Sequence, residues 1–101
     1  MWFLCQRRDK APRDKRTVSL DQHLVWMRAR HEDGSIVMSG PAPGRGFAMY
    51  LIRAESEEKA KAIAAGDPFT AAGDCTFEII PWEIHQILGA GAFTAGGLGH
   101  R

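Results

Sequence analysis

The chain has 101 residues, 45% hydrophobic and 25% charged, and carries 13 lysines and arginines against 12 aspartates and glutamates for a formal net charge of +1. That length suits one domain and excludes two independent cores, and the composition is that of an ordinary soluble globular protein. So even a balance supplies no long-range field toward nucleic acid or an anionic membrane, and neither is expected as a partner.

The two cysteines, Cys5 and Cys75, stand in none of the zinc or redox spacings, and no signal-peptide pattern precedes them. A reduced, cytoplasmic protein is the expectation. The opening WFLC is too short for a membrane span or signal core and reads as a first strand. The following DKAPRDKRT, with Arg7, Arg8, Lys10, Arg13, Lys15 and Arg16 in and around it, is broken by proline and lacks interleaved aromatics. It reads as a solvated loop, and a nucleic-acid role would rest on it alone.

From Ser19 the pattern becomes helical. Leu20, Leu24 and Met27 recur at three- and four-residue intervals, Ser19 or Thr17 caps the start, and Asp33-Gly34 stops it. His23 lies about 60° around that helix from Leu20, bordering the apolar stripe. SIVMSGP and GFAMYLIR then read as two strands joined by PAPGR, a hairpin link. Ser56 caps a second helix with Glu57 and Glu58 in its first turn and Ala60, Ile63 and Ala64 as a thin apolar face. Gly66 is expected to end it in a left-handed conformation. CTFEIIPWEI reads as a last strand, with Pro81 at an edge or bulge. The order β-α-β-β-α-β is that of a ferredoxin-like α+β fold, a four-stranded antiparallel sheet with both helices on one face. Because IVM, FAMYLI and FEII are apolar on both sides, the helix-free face is expected to be covered by a second copy. The glycine-rich end is expected to be mobile beyond Phe93.

Asp67 sits between Gly66 and Pro68, where proline holds its backbone extended. Asp at a cap with Pro at the first helical position is a favoured helix start. On that reading Asp67→Asn would cost little stability, since asparagine caps as well. The four histidines, His23, His31, His85 and His100, form no metal-ligand spacing, and there is no nucleophile elbow and no phosphate loop. No cofactor motif is visible, which suits unassisted proton chemistry.

Read together, four short motifs make residues 2–82 resemble the YCII-related family. They are the His-Leu of DQHLVWM (His23, Leu24), the Gly-Pro of VMSGP (Gly40, Pro41), GDPF followed by AAG at the family's Asp-Pro-aromatic position, and the strand ending IIPW (Pro81, Trp82). The resemblance implies a ferredoxin-like domain, here residues 1–88 with a tail at 89–101, that pairs as a dimeric α/β barrel. It also implies a His-Asp pair at a cleft, matching His23 as acid or base and Asp67 as its orienter. Arg16 matches a common family arginine, while Leu20 stands where some members carry another. One activity associated with the family is dehydrochlorination of a chlorinated hydroxyhydroquinone. The expected function is therefore that of a small acid-base enzyme, lyase- or isomerase-like and dehydrochlorinase-like, on a small aromatic substrate. Ser39 would supply a hydroxyl and Trp82 an apolar wall, with Gly40, Pro41 and Arg16 completing the substrate-binding set. The alternative is a non-catalytic, ligand-binding or accessory dimer. A carboxylate bonded to one imidazole nitrogen fixes the tautomer and leaves the other nitrogen to exchange a proton near neutral pH, so the pair makes chemical sense in itself.

Overall fold

The computed structural model describes residues 1–89 and 92–95, and its main body follows the expected order. The elements are β1 (Trp2–Asp9), α1 (Leu20–Glu32), β2 (Ile36–Ala42), β3 (Phe47–Arg53), α2 (Glu57–Ala65), α3 (Pro68–Ala71) and β4 (Cys75–Trp82). The four strands form one antiparallel sheet in the order β2-β3-β1-β4, so the first strand is central and the last is an edge. This is the ferredoxin-like arrangement. Pro81 lies on the edge strand opposite Phe3, where its missing N–H is tolerated. Among the described residues no helix is long and apolar enough to cross a membrane.

Alternation along the strands decides which side chains meet the helices. Phe3, Cys5 and Arg7 of β1, Ala48, Tyr50 and Ile52 of β3, and Cys75 and Ile79 of β4 are all buried, and Met27, Ala60, Ala64 and Phe69 cover them from the helices. The opposite phase carries Met38, Met49, Ile80 and Trp82, all exposed on the helix-free face. A reciprocal capping box between Ser19 and Gln22 starts α1, and Ser56 caps α2 by accepting the Lys59 N–H.

Two local expectations change. Gly66 has φ −78°, not a left-handed value, because the chain runs from α2 through Asp67 directly into α3 without reversing. Its lack of a side chain still matters: a Cβ there would lie 3.3 Å from both the Ile63 carbonyl oxygen and Trp26 Nε1. The stripe on α1 is also split. Met27 joins the core, but Leu20 and Leu24 are each 51% exposed and His23 is the buried residue between them, at 7%. A small separate hairpin, β5 (Gln86–Gly89) with β6 (Ala92–Ala95), begins before the tail expected at residue 89 and runs into it. Of the stretch expected to be mobile beyond Phe93, Thr94 and Ala95 belong to β6, and residues 96–101, His100 among them, lie outside the described residues.

Both cysteines are free and buried. Cys5 pairs across the ladder with Ile79 and Cys75 with Asp9, so the thiols do not face each other. Burial, reinforced by the Asp67 charge and opposed by Arg7, pushes the Cys5 thiol up to about 12. Native protein at neutral pH should therefore leave Cys5 unreactive toward a thiol-disulfide reagent. Denaturation without reductant should release two titratable thiols, and finding none would mean an oxidised protein.

Candidate active site

Four structural elements deliver donors to one carboxylate. Asp67, fully buried, caps α3 by accepting the Phe69 N–H on Oδ1 at 3.0 Å. The same oxygen lies 3.0 Å from Nδ1 of His23 on α1. Oδ2 accepts from Arg7 Nη1 of β1 at 3.1 Å and from the Tyr50 hydroxyl of β3 in a short hydrogen bond. Arg7 Nη1 also donates to the Tyr50 oxygen at 2.6 Å, closing a ring of three polar groups. The cap and the His-Asp contact are thus not alternatives, because one oxygen makes both.

The electrostatics follow from this crowding. Burial pushes the Asp67 carboxyl up, but hydrogen bonds from His23 and Tyr50, the nearby His23 ring and the Phe69 N–H outweigh it and hold the group below the ordinary carboxylate range. Burial also drives the Tyr50 phenol well above its usual value, against the pull of the Arg7 charge and with the help of Asp67. Tyr50 therefore stays neutral and donates. Burial opposes the Arg7 charge, yet Tyr50 and Asp67 raise it overall, so a cation and a carboxylate persist together in the core.

With Asp67 accepting at Nδ1–H, the neutral His23 tautomer keeps its lone pair on Nε2, and the residue lines a cavity of about 250 Å³. Phe69 stacks on the imidazole at 4.7 Å between ring centroids, fixing the ring plane. Leu20 and Leu24 line the cavity with Ser39, Gly40, Pro41 and Arg16. Their half-exposure on α1 is accounted for by that role: they wall a pocket instead of packing the core. The Arg16 guanidinium lies 4.2 Å from the centre of the Phe69 ring and bonds Asp9 at 2.5 Å. Asp74 holds the approach to α1 by accepting from the Thr17 and Val18 N–H groups at 2.9 and 3.2 Å.

Of the residues expected at the site, His23 and Asp67 are in direct contact, and Ser39, Gly40, Pro41 and Arg16 share the cavity. Trp82 is not there. It stands on the helix-free face opposite Trp2, since it lies in the opposite strand phase from Cys75 and Ile79. Phe69 supplies the apolar wall in its place. Sequence reasoning missed Arg7 and Tyr50, whose signal was period two: each falls in the inward phase of its strand, where a polar residue must have a buried partner. It also missed His31, whose Nδ1 lies 2.8 Å from the Ile36 carbonyl and whose Nε2 lies 3.1 Å from Ser39 Oγ, orienting that hydroxyl at the cavity edge. Among the described residues no three His, Cys, Asp or Glu side chains are grouped to hold a metal ion.

The model of the YCII-related domain matches residues 1–83. Among solved structures, the chain is similar to the 5-chloro-2-hydroxyhydroquinone dehydrochlorinase of Burkholderia phenoliruptrix AC1100 in complex with 2,5-dihydroxybenzoquinone. The TM-score is 0.68 and the identity 24%, over 82% of this chain and 94% of that one, a likeness of fold. No match is found among curated proteins.

The geometry reverses the expectation that Asp67→Asn is mild. Asparagine retains the cap but strands the buried Arg7 charge, and the variant should lose about 3 kcal/mol of stability. Because the folded carboxyl titrates below its unfolded value, its contribution is complete above about pH 4 and is lost as pH falls through the lower folded value. Thermal melts across that range should fall steeply for the wild type and less so for Asp67→Asn. Equal slopes would mean that Asp67 is not the stabilising carboxylate.

Proposed function

The chain belongs to the YCII-related family, and from that premise we propose that it is a small acid-base enzyme, lyase- or isomerase-like, in which His23 moves a proton on a small ring compound. The observation that carries this reading is the His23 ring, held at Nδ1 by Asp67 at 3.0 Å, in the lining of the cavity. The dehydrochlorinase name of the structural neighbour and its bound dihydroxybenzoquinone support the same class of chemistry and substrate.

In the proposed reaction the Nε2 lone pair accepts a proton from a C–H or O–H of the substrate. The electron pair left behind either expels a leaving group from a conjugated position, giving elimination, or takes a proton back at a different atom, giving isomerisation. The imidazolium formed on the way is stabilised by the Asp67 carboxylate, which has no need to reorganise because Arg7, Tyr50 and Phe69 already fix it. Arg16, placed over Phe69 at the cavity wall, faces negative charge developing on the substrate. The small volume and the flanking Phe69, Leu20 and Leu24 suit one ring.

We further propose that the active form is a homodimer joined through the helix-free face, whose exposed Met38, Met49, Ile80 and Trp82 form an apolar surface. Sedimentation should give about twice the chain mass of 11.2 kDa, and Met49→Glu should shift the protein toward monomer. A wild-type monomer at micromolar concentration would overturn the dimer.

The enzyme reading is tested by screening small phenols and carbonyl compounds by thermal shift, then assaying the stabilising ones for turnover. His23→Gln keeps a donor toward Asp67 but has no base. It should retain ligand binding while the rate falls by about 10²- to 10⁴-fold. An unaltered rate would remove His23 from the mechanism. Stabilising ligands that are never turned over would favour an accessory dimer.

A further inference from the structure

The His23 cavity does not end at its rim. Arg7, Arg13, Arg16 and Pro41 belong equally to a larger open trough of about 820 Å³, walled by residues 7–13, Arg16 and the β2–β3 turn at residues 41–47. Among the described residues six cations line it, Arg7, Arg8, Lys10, Arg13, Arg16 and Arg45, against the single carboxylate of Asp9. The net charge of +1 therefore hides a strongly positive concavity that holds six of the chain's 13 basic residues.

Most of that charge is uncompensated. Arg7 is committed to Asp67 and Arg16 to Asp9, but among the described residues no carboxylate pairs with Arg8, Lys10, Arg13 or Arg45. Like charges gathered in a concavity repel one another and focus a positive potential, and an anion relieves both. The occupant suggested is compact. Among the described residues the trough's only aromatic ring is Phe47, already faced by the Arg8 guanidinium at 5.1 Å, so they offer no free stacking platform for successive bases.

We propose that this trough is a binding subsite for a multiply charged anionic group, a phosphate or diphosphate. Resting on the reading of the His23 cavity as the reacting pocket, that group is carried by the same molecule whose ring enters the cavity. Arg7, Arg13, Arg16 and Pro41, common to both spaces, form the junction. Guanidinium groups suit it because they meet phosphate oxygens with paired N–H donors.

The test uses the full-length chain and inorganic pyrophosphate at moderate salt, followed by amide chemical shifts and by calorimetry. Saturable binding is expected, with shifts confined to residues 7–16 and 41–47. The double variant Lys10→Gln/Arg45→Gln should weaken it by about tenfold or more without lowering Tm. Lys59→Gln/Lys61→Gln, on the exposed side of α2, should leave it unchanged. His23→Gln should also bind pyrophosphate normally, so the subsite stands or falls separately from the catalytic reading. Shifts spread over the whole surface, absence of saturation, or equal weakening by the α2 variant would overturn the subsite. So would an oligonucleotide that displaces pyrophosphate and binds at least about tenfold tighter. For the shared molecule, a phosphorylated form of any ring compound found to bind should gain about tenfold in affinity, and the gain should vanish in Lys10→Gln/Arg45→Gln. A gain that survives there would detach the trough from the cavity.

Discussion

A carboxylate sealed away from water has to be met by donors, and the arrangement of this protein's interior follows from meeting that requirement at Asp67. One oxygen takes the Phe69 N–H and His23, the other takes Arg7 and Tyr50. These donors come from α3, α1, β1 and β3, so the ion ties the central strand, its neighbour and two of the helices to a single point. An unpaired charge at such depth is too costly to persist, which makes the four contacts mutually dependent: removing one partner leaves the others poorly satisfied. A group this heavily constrained gives His23 a fixed orientation as a consequence.

Stability and the proposed chemistry draw on the same contacts. Tyr50 and Arg7 hold the carboxylate that holds the imidazole, and both also line the cavity. Phe69 contributes twice, with its backbone N–H on Asp67 and its ring against His23 on one side and Arg16 on another. Such sharing builds the site from few residues, at the expense of independence: a substitution that unpairs Asp67 disturbs the core as well as the cavity.

The sheet order has a second consequence. Because β1 is central and the loop after it leads to α1, the basic residues that follow the strand are carried to the rim of the His23 cavity, across from the β2–β3 turn. The backbone fastens this loop on both sides, Asp9 N–H to the Gly46 carbonyl at 2.9 Å and Lys10 N–H to the Asp74 carbonyl at 3.1 Å. What looks like a solvated stretch in one dimension is a wall in three.

Element order, the Ser19 and Ser56 caps, the hairpin and the Asp67-Pro68 helix start were all legible from the chain, because each is decided by neighbours a few residues apart. The family motifs added His23 and Asp67, with Ser39, Gly40, Pro41 and Arg16 around them. Strand phase was hard to read in the apolar runs IVM, FAMYLI and FEII, so Trp82 was assigned to the pocket while it lies on the other face, and the period-two positions of Arg7 and Tyr50 on the inward face passed unnoticed. Nor could helix spacing tell a core stripe from a cavity wall, since Leu20 and Leu24 satisfy both. The contacts that matter most join residues 44 and 60 positions apart, His23 and Arg7 with Asp67, and only the closing of the sheet against its helices brings them within hydrogen-bond distance.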